Sequence, residues 1–183
     1  MRRSTPLNFK DTLAAILVFF SRLRVLPANF SPLGSFGFFS QNWLLFFVSI
    51  FIFDAFVGGF YQGWELNYLG FLMYPLLGRL ANQKLHRQLV LLPTASVLFF
   101  ILSNLGVWWY WFPHTVEGLL ACYTLALPFY RHTLLSDLVF GYGYLAVKKT
   151  FSLIYYGYDR LTPQRPGLSA TQKILRPISS PDI

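Results

Sequence analysis

Residues 99–109 read FFILSNLGVWW and lie inside a long, mostly apolar stretch that covers residues 93–137. The part over residues 89–109 contains no Asp, Glu, Lys or Arg, and about 20 apolar residues are enough to cross a bilayer as a helix. The sequence PHT at 113–115 then predicts a turn into a second apolar segment. This stretch predicts a helical hairpin in a membrane, and the rest of the chain is interpreted around it.

The composition of the whole chain also indicates an integral membrane protein. Its 183 residues are 55% hydrophobic, with a mean hydropathy of +0.46, and only 12% are charged. A typical soluble domain has about 25% charged residues. The net charge of +8 comes from Lys and Arg residues near the ends and in short connections, which favours anionic lipid headgroups and argues against a nucleic-acid interface.

Six apolar segments predict an all-α, polytopic transmembrane bundle of about six helices, or five if the first segment lies at the interface. They cover about residues 11–20, 33–57, 66–80, 89–109, 116–129 and 133–147, with a break predicted at 128–132 and a basic loop at 82–88. The second segment is longer than a span requires, so it either tilts or begins with a re-entrant part. The distribution of Lys and Arg residues does not decide between six and five membrane crossings, because both arrangements put the larger share of these residues on the inner side.

The same reading divides the chain into a basic N-terminal lead (1–10), one transmembrane domain (11–157) and a polar, basic, flexible C-terminal tail (158–183). The sequence has no nucleophile motif, glycine-rich phosphate loop, paired catalytic carboxylates or HExxH motif, so we expect no catalytic residue and no enzyme activity. The three His residues have no partners at metal-ligand spacing, and we expect no metal and no cofactor.

Polar residues within the apolar segments are candidate ligand-binding residues, because a polar group at bilayer depth is costly unless it has a partner. We predict a small-molecule pocket lined by Asp54, Tyr74, Phe100, Asn104, Trp108 and Asp137. Three of these residues, at positions 100, 104 and 108, share one face of a helix. A flat ligand such as a vitamin or a heterocycle suits aromatic walls that carry a few polar groups.

Several of these residues also have a simpler interpretation. Asp54 is either a proton or cation site, a partner for a basic group, or a helix-end carboxylate near the following glycines. Asn104 either hydrogen-bonds between helices or lines the pocket. Glu117 is predicted at a helix N-terminus, and Arg131 either caps the preceding helix or pairs with Asp54 or Glu117.

Five short sequence motifs resemble those of a family of small bacterial membrane proteins without an assigned biochemical function. They are PANFSPLG (27–34), DAFVG (54–58), FFILSNLGVW (99–108), PHTVEGLLACY (113–123) and ALPFYRHTLLSD (126–137). This chain has His132 and Ser136 where the family pattern has Asn and Gly. The family is similar in size and helix layout to the substrate-binding S components of energy-coupling-factor (ECF) vitamin transporters.

The resemblance implies a binding subunit in the bacterial inner membrane that works with a transmembrane coupling subunit and ATPases. In this chain Ala14 and Ala15 are adjacent, whereas the docking face of S components has two alanines four residues apart. The other hypothesis is a non-transporting membrane scaffold or assembly factor. It would use small-residue faces, Ala55 with Gly59 or Gly118 with Cys122, for contacts between helices.

Overall fold

A computed structural model describes residues 9–23, 26–27, 29–40 and 42–161, without the side chains of residues 9–10 and 156–161. The described residues form six α-helices and one π-helical turn, with no strand, which confirms the all-α class. The helices are α1 (Phe9–Ser21), α2 (Leu33–Phe39), α3 (Trp43–Phe53), α4 (Trp64–Ala81), α5 (Leu85–Trp111) and α6 (Val116–Leu161).

The chain divides after Leu145 into two compact units, and all the packing described below lies in the first unit. The predicted N-terminal lead lies outside the described residues as far as residue 8. The predicted tail lies outside them from residue 162 onward.

The segment predicted over 33–57, which the sequence left either as one tilted helix or as a helix with a separate first part, forms two helices: α2 ends at Phe39 and α3 begins at Trp43. The side chain of Asn42 accepts a hydrogen bond from the backbone N–H of Leu45 at 3.1 Å, and so caps the start of α3. A capping residue has a non-helical backbone, and α2 therefore ends before it. A π-helical turn, Asp54–Gly58, follows α3, and Gly59 closes it with φ of 76°.

α4 and α5 form the most extensive helix pair. A Cβ atom on Gly70 would lie 3.2 Å from the backbone oxygen of Phe99, so a side chain here would require the two helices to move apart by a few tenths of an ångström. The basic loop predicted at 82–88 is shorter in the structure, because α5 already begins at Leu85. Asn82 and Gln83 both adopt left-handed backbone conformations, and these two residues reverse the chain between the helices.

The break predicted at 128–132 is also wrong, since α6 continues through it with Pro128 inside the helix. A proline removes one backbone donor and restricts the preceding turn. The helical hydrogen bonds on either side of it are sufficient here to keep the helix continuous. The two helices predicted for 116–129 and 133–147 are therefore one element.

Apolar side chains form most of the core and are also abundant on the outside, and a few polar side chains are buried in the interior. By length and composition, α5 is the one described helix that could cross a membrane, with a mean hydropathy of 2.0, and only 22% of its apolar window is buried in the chain. α1 and the segment Trp43–Gly58 are apolar but shorter, and large apolar side chains such as Phe56, 83% exposed, cover much of the outer surface. The buried polar residues are Ser35, Ser49, Gln88, Ser96, Ser136 and Asp137.

Candidate functional site

Four helices converge on one buried carboxyl group. α6 places Asp137 in the interior with 1% of its surface exposed, and the hydroxyl of Tyr74 on α4 donates to its Oδ2 at 2.6 Å. The hydroxyl of Ser35 on α2 donates to the backbone oxygen of the same aspartate at 3.1 Å. Ser96 of α5 is fully buried beside the Tyr74–Asp137 pair. A short O–H···O hydrogen bond in such a site is strong and fixes the orientation of the carboxyl group.

Glycines let α2 approach this carboxyl group closely. A Cβ atom on Gly34 would overlap Oδ1 of Asp137 and would lie 2.6 Å from the ring of Tyr74. A Cβ atom on Gly141, one turn after Asp137, would overlap the side chain of Leu92. The start of α2 therefore fits against α4 and α6 only because position 34 lacks a side chain, and Gly141 lets α6 approach α5 in the same way.

Asp137 lines a cavity of about 480 Å³. This volume lies in the range of roughly 300–1,000 Å³ that small-molecule sites occupy. Aromatic side chains supply much of the wall, namely Phe30, Phe53, Phe71, Tyr74 and Phe99. The polar groups on the wall include the side chains of Ser31, Thr133, Ser136 and Asp137, together with Arg22. The cavity thus combines flat apolar walls with a few hydrogen-bonding and charged groups.

Arg22 is held at this cavity by a partner that does not line it. Its Nη2 lies 3.5 Å from Oδ1 of Asp54, and its guanidinium carbon lies 3.7 Å from the centre of the Phe53 ring. The hydroxyl of Tyr68 donates to the other oxygen of Asp54 at 3.0 Å. Asp54 is therefore paired with a basic group, and that group is Arg22, whereas Arg131 is exposed on α6.

Phe100 and Asn104 line a second, smaller cavity of about 230 Å³. The side-chain nitrogen of Asn104 donates to the backbone oxygen of Phe100 at 2.8 Å, which orients the amide. The rings of Phe100 and Tyr130 pack against each other with their centres 4.4 Å apart. This cavity shares three lining residues with the first one: Asn29, Phe99 and Thr133.

The other predicted site residues lie away from both cavities. The indole nitrogen of Trp108 donates to the backbone oxygen of Pro113 at 3.1 Å, so its side chain braces the turn between α5 and α6. Glu117 is exposed in the first turn of α6, where its own backbone N–H and the hydroxyl of Thr115 lower the pKa of its carboxyl group. Among the described residues, no group of three or more His, Cys, Asp or Glu side chains could hold a metal ion.

Sequence reasoning missed Arg22, Ser35 and Ser96. Arg22 follows the first apolar segment directly, and Asp54 at the end of another apolar segment offers it an opposite charge. The two serines gave no signal of their own, because serine is compatible with any helix face. Gly34 and Ser35 lie shortly after the segment 27–32, which has a proline at each end. Residues of this segment supply part of the wall of the first cavity.

Comparison with known proteins gives a family but no activity. No curated protein matches the chain, and no solved structure matches it. One family model matches residues 7–154, a range that contains every residue that lines the two cavities. The prediction of a family without an assigned biochemical function is thereby confirmed at this level. The chain belongs to a family of unknown function (DUF6580).

Proposed function

We propose that this chain is an integral membrane protein with an interior cavity that binds a small organic molecule, as the binding subunit of a transporter. The observation that carries the proposal is the buried carboxyl group of Asp137 on the wall of a cavity of about 480 Å³. A buried ionisable group is costly and is usually retained for a function. The hydrogen bond from Tyr74 orients it, and the cavity lies directly against it.

The distribution of apolar surface supports the membrane part of the proposal. α5 carries no acidic residue and exposes most of its apolar window, so water is a poor solvent for this surface. Exposed apolar residues on α1, α3 and α6, such as Leu17, Leu44 and Leu125, extend this surface. We therefore propose a polytopic bundle of these helices in a bilayer, with the bacterial inner membrane as its location.

The chemistry of the cavity indicates a class of ligand. Phe53, Phe71 and Phe99 offer aromatic faces, which pack well against a flat ring. Asp137 offers an oxygen acceptor, so the edge of the ring facing it should carry an N–H or O–H donor. A vitamin or another heterocycle with a polar edge fits both requirements.

Transport also needs an energy source, and the sequence contains no nucleotide-binding motif. In this proposal the chain resembles an S component of an ECF transporter: it captures the ligand from one side and releases it by moving against a partner. The partner is a transmembrane coupling subunit with ATPases. The resemblance of the sequence to a family similar in size to the S components supports this step.

Thermal unfolding of the purified chain in detergent tests the proposal. At least one member of a panel of vitamins and nucleobases should raise the unfolding midpoint, because a ligand at about 100 times its Kd stabilises the bound state by about 2.7 kcal/mol. Asp137→Asn should abolish this response. Glu117→Gln removes a carboxylate outside both cavities and should leave the response unchanged.

The scaffold hypothesis remains the second candidate. Of the two small-residue helix faces that it would use, one is exposed on the surface. Ala55 and Gly59 are exposed, so a partner helix could reach them. Gly118 instead packs on Pro113, and the sulfur of Cys122 lies 3.6 Å from the backbone oxygen of Asn104. No response to any compound, together with a co-purified protein that Ala55→Leu releases, would favour the scaffold.

A further inference from the structure

The two cavities differ in charge. The first has Arg22 and Asp137 on its wall. The described wall of the second has no Asp, Glu, Lys or Arg, and its polar groups are amides and hydroxyls. They belong to Asn29, Tyr61, Asn67, Ser103, Asn104, Tyr130 and Thr133. A wall of this kind matches an uncharged group with several hydrogen-bond donors and acceptors.

The two cavities are also neighbours. Asn29, Phe99 and Thr133 line both of them, so one residue from each of three segments separates the two volumes. Phe99 and Thr133 belong to α5 and α6, and Asn29 belongs to the connection between α1 and α2. A ligand that occupied both volumes would lie against these three residues.

We infer that the two cavities are two subsites of one binding site, and that its ligand is a flat heterocycle bearing an uncharged, polyhydroxylated extension, as in a nucleoside. The ring lies in the first cavity, where Asp137 and Tyr74 receive its polar edge. The extension lies in the second cavity, where Asn104 and Asn67 hydrogen-bond to its hydroxyl groups. This inference rests on the proposed function and specifies the ligand class for the same site.

Two matched pairs of compounds test it: adenine with adenosine, and cytosine with cytidine. Each pair shares a ring and differs by an uncharged ribose. With the full chain in detergent, at least one nucleoside should bind about tenfold or more tightly than its base, which corresponds to about one additional hydrogen bond. Asn104→Leu should remove this difference and should leave the affinity for the base unchanged.

Thr94→Leu is the matched control for Asn104→Leu. Thr94 is on the same helix, and its side chain also donates to the backbone oxygen four residues earlier, but it lines neither cavity. It should preserve the difference between nucleoside and base. If Asn104→Leu does not fold, Asn67→Ala measures the same subsite from α4.

Three outcomes would overturn the inference. In the first, base and nucleoside bind the native chain equally. In the second, the variants at positions 104 and 67 weaken both by the same factor. In the third, none of the four compounds binds. In each case, a vitamin that stabilises the chain through Asp137 would still support the proposed function. If no compound of the vitamin and nucleobase panel binds, both the inference and the proposed function are rejected.

Discussion

The hydroxyl of Tyr74 and the carboxyl group of Asp137 form a short, buried hydrogen bond of 2.6 Å. Tyr74→Phe removes this donor and leaves the buried Oδ2 of Asp137 without a hydrogen bond from Tyr74. A buried acceptor that loses its donor costs about 1–3 kcal/mol, and we expect the free energy of unfolding to fall by an amount in that range.

Tyr142→Phe is the control for this prediction. The hydroxyl of Tyr142 donates to the backbone oxygen of Leu89 at 2.7 Å, at a site more open to the surroundings. Its loss should cost less, because the acceptor can find another donor. Denaturant unfolding in detergent measures both variants, and equal losses would argue against a special role for the Tyr74–Asp137 bond.

Two helical glycines should respond in opposite ways to the same substitution. Gly34→Ala places a Cβ atom against Asp137 and Tyr74, and overpacking of this kind typically costs about 1–3 kcal/mol. Gly143 has no heavy atom within 4 Å of the added Cβ position, and Ala is the better helix former by about 1 kcal/mol. Thermal unfolding should show a loss for the first variant and no loss for the second; a loss for both would contradict the packing described at α2.

At the scale of residues, the sequence predicted the hydrogen-bond acceptor Asp137 but not the glycine and serine residues that pack around it. Asp137, Tyr74 and Asn104 could be chosen because a polar group in an apolar segment is conspicuous. Gly34 and Ser35 could not be chosen in the same way, since their roles depend on which helices meet. Trp108 shares a helix face with Asn104, yet it hydrogen-bonds to the turn at Pro113, because the end of α5 lies beyond the cavity.

At the scale of elements, the Arg22–Asp54 pair ties the end of α1 to the π-helical turn after α3. Both side chains are less than a fifth exposed, so water screens their attraction only in part. A double-mutant cycle with Arg22→Gln and Asp54→Asn should give a coupling energy of about 1 kcal/mol, at the upper end of the range for exposed pairs. Denaturant unfolding of the two single variants and the double variant measures it.

A coupling energy near zero would show that α1 is held by its apolar contacts alone. Phe19 and Phe53 provide such contacts, with ring centres 5.6 Å apart. Phe19→Leu is therefore the matched variant for the apolar contribution. It should destabilise the chain without changing the coupling between Arg22 and Asp54.

The elements that sequence predicted well are those that length and composition specify. α5 and the turn at 113–115 follow from a long apolar segment and a proline-containing connection. The start of α3 at Trp43 is fixed by a capping hydrogen bond to the side chain of Asn42, which apolar composition does not reveal. The continuity of α6 through Pro128 was missed because proline usually ends a helix, although one missing donor does not require it to end.

At the scale of the whole molecule, the first unit has apolar residues outside and polar residues around Asp137. Cysteine labelling in membrane vesicles tests whether a bilayer covers the outer surface. In a Cys122→Ala background, Lys84→Cys should react with a membrane-impermeant maleimide from one side only. Val90→Cys on α5 should be protected, because Val90 is exposed on the chain and would face lipid. Equal reaction of both cysteines in intact vesicles would contradict insertion.

The side on which Lys84 reacts also decides the topology. The two arrangements that the Lys and Arg counts leave open place this residue on opposite sides of the membrane. The structure has one helix, α6, where the sequence predicted two. The number of membrane crossings therefore cannot be taken from the number of helices alone, and the labelling of Lys84→Cys is needed to determine it.

The most direct measurement is a calorimetric titration of the panel compound that stabilises the chain best, with the native chain, Asp137→Asn and Glu117→Gln side by side. If the cavity at Asp137 is the binding site, Asp137→Asn should weaken binding by at least about tenfold, since it replaces one of the two carboxyl oxygens, a hydrogen-bond acceptor, with an N–H donor. Glu117→Gln should bind with the native affinity. Native affinity in Asp137→Asn would contradict the assignment of the site to this buried carboxyl group.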